Sequence, residues 1–170
     1  METRPLLEHE REEVLGILEQ RWGGRAVVAR GEAIELAGLP GIVALDEEGG
    51  LAGVLTYRLG QGSLEVVTLD ALVEGRGVGS ALVDAVREVA RDANAWRIFL
   101  VTTNDNVRAL SFYLRRGFRL VTVHQNAVAW SRQVKPSIPL AGEGGVAIED
   151  EVELEIVTGG EDPPPLRARR

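Results

Sequence analysis

The chain of 170 residues has no cysteine, a single lysine at Lys135, and only two histidines, His9 and His124. Without cysteine there can be no disulfide bonds, no thiolate metal sites and no covalent acyl-cysteine intermediate. The two histidines lie far apart in the sequence and make a poor zinc-ligand set. Any catalysis must therefore use oxygen, nitrogen or backbone groups, and we expect no metal.

Long apolar runs are also missing. Residues 1–13 are dense in charged side chains and lack the apolar stretch of a secretory signal peptide. No run elsewhere is long and apolar enough to span a bilayer. We therefore expect a cytoplasmic protein with no membrane partner.

Clustered basic residues are likewise scarce. The formal net charge is -7 at pH 7, and the arginines are dispersed among acidic residues. Binding to a phosphate backbone calls for grouped positive charge. The balance argues against a nucleic-acid partner and suits a cationic substrate better.

The composition fits one globular domain, since 45% of the residues are hydrophobic and 26% are charged. We place this domain at residues 1–158. The final segment, GGEDPPPLRARR, has three consecutive prolines and no apolar periodicity. We therefore expect a disordered tail at 159–170.

Hydrophobic periodicity predicts a mixture of helices and strands. Helical spacing predicts a first helix at 7–21, ended by Gly23 and Gly24, and β-branched runs cut by Gly and Pro predict strands within 25–59. Later elements are predicted in the order strand 64–72, helix 78–93, strand 96–103, helix 106–116, strand 118–123, helix 127–134 and strand 151–157. This order indicates an α/β (α+β) fold.

Two of these strands have informative patterns. The run LEVVTLDAL at 64–72 is nearly continuously apolar, which is typical of a central strand covered on both faces. EVELEIV alternates, with Val152, Leu154 and Ile156 on one face. This strand could pair across a dimer, so the sequence leaves open a monomer or a homodimer.

Three glycines, Gly75, Gly77 and Gly79, link the predicted central strand to an amphipathic helix. The first amides of such a helix lack intrahelical partners and favour phosphate oxygens. A Walker-type loop would need Lys followed by Ser or Thr, and the dinucleotide fingerprint would need glycine at Ser80. The remaining interpretations are a tight packing turn or a turn that binds another phosphate ligand, and the glycines alone do not separate them.

The later segment NDNVRALSFYLRRGF, together with VEGRGVGSAL, resembles the GCN5-related N-acetyltransferase (GNAT) superfamily. Its first motif, Gln/Arg-x-x-Gly-x-Gly/Ala, falls on residues 74–79, and its second, Asn-x-x-Ala-x-x-Phe-Tyr followed by Gly-Phe, falls on 106–118. The resemblance covers roughly 42–123. It implies a central twisted mixed, mostly antiparallel sheet flanked by helices, with a splayed parallel strand pair that binds acetyl-CoA.

The resemblance also implies a set of cofactor-binding residues. They comprise one strand that pairs with the pantetheine arm, the glycine turn and the start of the following helix, and the second motif: Leu69, Ala71, Glu74, Gly75, Arg76, Gly77, Val78, Gly79, Ser80, Asn106, Ala109 and Tyr113. Glu74 departs from the family pattern, because a carboxylate beside a pyrophosphate would repel it unless it faces away. Asn106 has a second interpretation as a helix N-cap.

Acetyl transfer to an amine needs a proton acceptor and a donor to the leaving thiolate. By resemblance Tyr113 is the general acid. Glu65 is the leading general base because it is the only acid in an apolar strand centre, while Asp70, His124 or water remain alternatives. For the acceptor, the sequence suggests only the segments 31–41 and 125–151.

The leading functional hypothesis is an acetyl-CoA-dependent N-acetyltransferase acting on a primary amine of a small molecule or peptide by direct ternary-complex transfer. The alternative is an acyl-CoA-binding regulatory or sensor domain with little or no transferase activity. Glu74 and the open identity of the base prompt this alternative.

Overall fold

The computed structural model describes residues 1–159, apart from the side chain of Glu143. The tail expected at 159–170 therefore lies outside the described residues except for Gly159. The helices are α1 (Arg11–Trp22), α2 (Val78–Asp92), α3 (Val107–Arg115) and α4 (Ala127–Val134). The strands are β1 (Glu2–Pro5), β2 (Ala26–Ala29), β3 (Glu32–Glu35), β4 (Gly41–Leu45), β5 (Leu51–Gly60), β6 (Ser63–Ala71), β7 (Arg97–Thr103), β8 (Arg119–His124) and β9 (Glu151–Val157).

Within these residues, seven strands form one mixed sheet in the order β1-β4-β5-β6-β7-β9-β8, and β2 and β3 form a separate hairpin. Neighbouring strands of the large sheet are antiparallel except β6 and β7. The predicted fold class, a mostly antiparallel sheet flanked by helices with one parallel pair, is confirmed.

The parallel pair is short. β6 and β7 are registered only from Ser63 opposite Arg97 to Glu65 opposite Phe99, although both strands continue well beyond these residues. The register of β5 against β6 shifts between Thr56 and Tyr57, which marks a bulge. Because bulges bend a strand and increase its twist, β6 turns away from β7 just where their pairing stops.

Each face of the sheet has its own apolar core. On one face, α2 buries Val78, Leu82 and Val86 against the strands, and the apolar residues of β9, Val152 and Leu154, join the same cluster. On the other face, Val14, Leu15 and Leu18 of α1 pack with side chains of β4, β5 and β6. The central position predicted for residues 64–72 is confirmed by burial on both sides of β6.

Two features of the sheet differ from expectation. β1, which pairs with β4 at the edge of the sheet, was not indicated by the sequence pattern. β9 is antiparallel to β7 on one side and to β8 on the other. Both of its edges are used within the chain, so the idea that this strand pairs across a dimer is wrong.

The helices match the predicted positions closely. A short 3₁₀ turn at Glu8–Glu10 precedes α1, and Gly23 ends that helix with φ 69°. Asn106 caps α3 by accepting a hydrogen bond from the amide of Ala109, which confirms the N-cap interpretation. No helix within residues 1–159 has the length and apolar character needed to cross a membrane.

The third glycine of the turn allows α2 and α3 to pack closely. A Cβ atom at Gly79 would lie 2.9 Å from Cζ of Phe112, inside van der Waals contact. We expect Gly79→Ala to lower the free energy of unfolding by about 1–3 kcal/mol, because the ring must move out of a packed site. Chemical denaturation measures this change.

Gly16 provides the matched control within another helix. A Cβ there meets no atom within 4 Å. Alanine should stabilise α1 by about 0.5–1 kcal/mol, because glycine is a poor helix former. A Gly79→Ala protein as stable as Gly16→Ala would contradict the packing argument.

Candidate active site

A cleft of about 540 Å³ lies where β6 has left β7, between the glycine turn and α3. It brings together all the sequence-predicted cofactor residues except Arg76. The predicted residues that line it are Leu69, Ala71, Glu74, Gly75, Gly77, Val78, Gly79, Ser80, Asn106, Ala109 and Tyr113. Asp70, an alternative base, and Phe112 of the second motif also line it, together with four residues that the sequence did not indicate, namely Arg21, Val73, Arg108 and Arg116.

The glycine turn presents bare backbone to this cleft. Gly75 and Gly77 both have φ 75°, a left-handed conformation that favours glycine. Gly77 is the N-cap of α2, so the first amides of that helix have no partners within the helix. These amides sit at the positive end of the helix dipole, which is an arrangement suited to an anion.

Charged side chains at the edge of the cleft add to the electrostatic field of the α2 dipole. Glu74 is largely exposed, and its Oε1 accepts a hydrogen bond at 3.1 Å from Nη2 of Arg108 on α3. Arg116 stacks over the Phe112 ring at 4.0 Å and donates to the hydroxyl of Ser80. The negative charge of Glu74 is therefore matched by a guanidinium from the opposite wall of the cleft.

Tyr113 is buried in the wall of the cleft. Its ring makes edge contacts with Phe112 and Phe118, with centroids 5.0 and 5.2 Å apart. Burial raises the pKa of the Tyr113 phenol well above its usual value, and the nearby negative charge of Asp70 raises that pKa further. Tyr113 lines the cleft, and no hydrogen bond from its hydroxyl to another residue is present within 1–159.

Asp70 joins the cleft to α1. Its two carboxylate oxygens accept hydrogen bonds from Nε of Arg21 and Nε1 of Trp22, both at 2.8 Å. The carboxylate is buried. Asp70 therefore fixes the C-terminal end of α1 against the strand that borders the cleft, and both of its oxygens are occupied in doing so.

Glu65 lies on β6 at the last pair before the strands separate. Its carboxylate is buried and accepts a hydrogen bond from Nη2 of Arg30 at 2.9 Å and from Nε of Arg58 at 2.7 Å. Arg58, on β5, also binds Glu32 on β3 and so joins the hairpin to the large sheet. The structure thus places Glu65 inside the protein but within an arginine–carboxylate network.

The second face of β9 extends this network. Glu151, Glu153 and Glu155 are all buried, where sequence alternation indicates a solvated face. Arg97 donates to both Glu153 and Glu155, and Arg119 binds Glu155. Burial would raise the pKa of Glu155, but the hydrogen bonds from Arg119 and Arg97 outweigh it and hold that pKa below its usual value.

The hairpin tip and α4 meet at Glu151. One carboxylate oxygen accepts the Ser131 hydroxyl and the other accepts the backbone N–H of Arg30, both at 2.7 Å. His124, an alternative base, lies 3.2 Å from Glu153 through Nε2. None of the residues in these contacts lines the cleft.

Other residues suggested for the acceptor from 125–151 serve the fold. Arg132 donates to backbone carbonyls of the loop that follows α4. Lys135 donates through Nζ to the carbonyl of Trp22 at 2.7 Å and to that of Ala26 at 3.1 Å. Asp150 accepts the amide of Asn126. This part of the sequence therefore secures α4 and its loop.

Sequence reasoning missed Arg30, Arg58, Arg97 and Phe99. They lie in three separate segments that only the sheet brings together around Glu65. One signal in the sequence could have indicated these arginines, namely the glutamates that alternate with apolar residues in β9. If such glutamates are buried, they require cationic partners.

Comparison with known proteins agrees with this architecture. The model of the acetyltransferase (GNAT) family matches residues 7–118. The uncharacterised protein YdhI of Bacillus subtilis strain 168 is 38% identical over 133 residues, which cover 78% of this chain and 83% of YdhI. The chain belongs to the GNAT acetyltransferase family, whose activity is acetyl-CoA-dependent acyl transfer.

Solved structures show the same fold at low sequence identity. The IAA acetyltransferase from Bacillus cereus ATCC 14579 superimposes with a TM-score of 0.68 at 17% identity, covering 92% of this chain and 98% of that one. A Bacillus subtilis acetyltransferase solved in complex with CoA gives 0.64 at 19% identity, covering 92% and 99%.

The environment of Tyr113 predicts its titration. In a Tyr57→Phe variant Tyr113 is the only tyrosine, and near pH 10, where about half of an exposed tyrosine is ionised, we expect almost no phenolate absorbance until the protein is denatured. Because the folded state keeps a proton that the unfolded chain releases, stability should fall as pH rises above about 10. Ordinary titration in the folded variant would show that the phenol is solvated.

Proposed function

We propose that residues 1–158 act as one domain that transfers the acetyl group of acetyl-CoA to a primary amine of a small molecule or peptide, directly within a ternary complex. One observation carries this proposal. The bare amides of the glycine turn and the Tyr113 hydroxyl line one cleft, and the cleft opens where β6 and β7 stop pairing.

The cleft provides for both ends of the cofactor. The α2 amides near Gly77 would bind the pyrophosphate, helped by Arg116 beside Ser80. The unpaired edge of β6 at Leu69 and Ala71 would form strand-like hydrogen bonds with the pantetheine amides. From Glu65 to Leu69 is roughly 13 Å of extended chain, which places the thioester near Glu65 when the phosphates lie at the turn.

The reaction is a nucleophilic acyl substitution. The neutral amine nitrogen attacks the thioester carbonyl carbon, a C–N bond forms and the C–S bond breaks. The amine loses a proton to the general base, and the departing thiolate takes a proton from the general acid. We assign the acid to Tyr113, whose raised pKa keeps the phenol protonated at neutral pH.

We assign the base to Glu65. It is the acid closest in the chain to the point where the strands separate, and its burial protects it from bulk water. Both oxygens already accept guanidinium N–H groups, but a carboxylate oxygen has a further lone pair. Glu65 accepts the amine proton at this lone pair, either from the amine or through a bridging water.

Acetyl-CoA binding and turnover test different parts of the proposal. Acetyl-CoA should raise the melting temperature, with a gain of about 2.7 kcal/mol at a hundredfold excess over Kd. Tyr113→Phe should lower kcat by about 10²–10⁴-fold, the usual share of general acid–base catalysis, and leave acetyl-CoA binding nearly intact. Thiol release against an amine library measures turnover.

Tyr57→Phe is the matched control, because Tyr57 packs against the core and does not line the cleft. It should retain the parent kcat. Unchanged turnover in Tyr113→Phe would remove the acid assignment. Acetyl-CoA binding without thiol release for any amine would favour the sensor alternative.

A further inference from the structure

A second cavity, of about 390 Å³, lies beside Glu65 on the face of the sheet covered by the β2–β3 hairpin. Its lining includes Glu65, Phe99 and three arginines, Arg30, Arg58 and Arg97. The cavity extends from Glu65 toward the β5–β6 turn, away from the glycine turn at the other end of β6. A molecule bound there would approach Glu65 from the side opposite the cofactor.

Two of the arginines share one aromatic ring. The guanidinium carbon of Arg97 lies 4.3 Å from the Phe99 centroid and that of Arg30 lies 5.6 Å from it. Both guanidinium groups lie within cation–π distance of the ring, and this attraction favours their positions beside it. Phe99 therefore positions two planar hydrogen-bond donors at the wall of the cavity.

Both guanidiniums keep unused donors. Arg30 donates through Nη2 to Glu65, and Arg97 donates through Nη1 to Glu153 and Glu155. Within residues 1–159, Nε and Nη1 of Arg30 and Nε and Nη2 of Arg97 make no hydrogen bond, and Nε of Arg97 is buried. Nε and Nη1 of Arg30 and Nη2 of Arg97 are therefore free to donate to an acceptor from a ligand in the cavity that these two residues line.

The backbone conformation and contacts of Arg30 hold this residue in a defined position. It has φ 54°, in the left-handed region that arginine rarely adopts, at the two-residue turn between β2 and β3. Its N–H is held by Glu151 and its side chain by Glu65. Strained residues of this kind persist where the surroundings fix them and concentrate at functional sites.

We infer that this cavity binds the carboxylate of the acceptor, so that the substrates are amines that carry a carboxylate a few bonds from the reactive nitrogen, as amino acids do. The inference rests on the proposed function. Planar guanidinium forks match a carboxylate in two-point geometry. The single carboxylate in the lining, Glu65, then lies next to the amine end of the same molecule.

The local charge favours this class over a plain cationic amine. Three guanidiniums and one carboxylate line the cavity, whereas the chain as a whole carries -7. The carboxylates that offset Arg58 and Arg97, namely Glu32, Glu153 and Glu155, do not line the cavity. The charged side chains that a diamine without an acidic group would contact in the lining are three guanidiniums and one carboxylate.

The test compares matched acceptors in the thiol-release assay: each amino acid, its carboxamide and its decarboxylated amine. A charge-assisted pair supports an expected preference of about 10- to 100-fold in kcat/KM for the amino acid. Arg30→Asn should abolish most of that preference by raising KM, with acetyl-CoA binding unchanged. Asparagine tolerates positive φ, so this variant retains the turn.

Arg97→Lys and Arg119→Lys form a matched pair of variants. Both arginines bind Glu155, but only Arg97 lines the cavity. Arg97→Lys should reduce the preference for the carboxylate, because lysine lacks the planar guanidinium that binds a carboxylate at two points. Arg119→Lys should leave the preference unchanged. If the parent enzyme acetylates the carboxamide and the decarboxylated amine as efficiently as the amino acid, the inference is overturned, while the transferase proposal stays intact.

A binding measurement separates failure of this inference from failure of the proposed function. The same amino acids and carboxamides are titrated calorimetrically into the CoA-loaded protein. Amino-acid binding that is lost in Arg30→Asn supports the inference even where no thiol is released. Absence of binding together with absence of any carboxylate preference overturns it.

Discussion

The end of hydrogen bonding between β6 and β7 is the constraint on which the site depends. Strands inside a sheet normally satisfy every backbone N–H and C=O, yet beyond Glu65 and Phe99 these two strands have no mutual register. The facing edge of β6 therefore offers donors and acceptors to a ligand with amide groups. Three features shape this opening. The bulge near Thr56 bends β6, and the glycine turn caps α2. α3 forms the opposite wall of the cleft.

The buried glutamates of β6 and β9 show how a protein can bury several carboxylates. Glu65, Glu153 and Glu155 lose their hydration, and each is compensated by guanidinium or imidazole contacts from another strand or from the hairpin. Such groups are costly when left alone, so the strands and the hairpin tip must assemble together. The acidic composition of the whole chain therefore says little about the charge that a ligand meets in any one cavity.

Much of the fold was predictable because it depends on local patterns. The stripe of α2, the stop at Gly23 and the continuous apolar run of β6 are short-range signals, and the structure has the elements they predict. The order of strands was not predictable in this way. The insertion of β9 between β7 and β8 depends on pairing over long sequence separations, and β1 is too short and too charged to show a pattern. In the candidate site, the motif residues around Gly77 and Asn106 could be identified from sequence, whereas Arg30 and Arg97 required the three-dimensional arrangement.

Lys135 has a consequence for an enzyme of this family. It is the only lysine in the chain, and its amine is held by the carbonyls of Trp22 and Ala26. An ammonium group bonded to two carbonyls must break both contacts and lose a proton before it can act as a nucleophile. The protein therefore offers its own acetyl donor almost no competing side-chain amine, and acylating reagents should modify the folded chain chiefly at its terminal amino group.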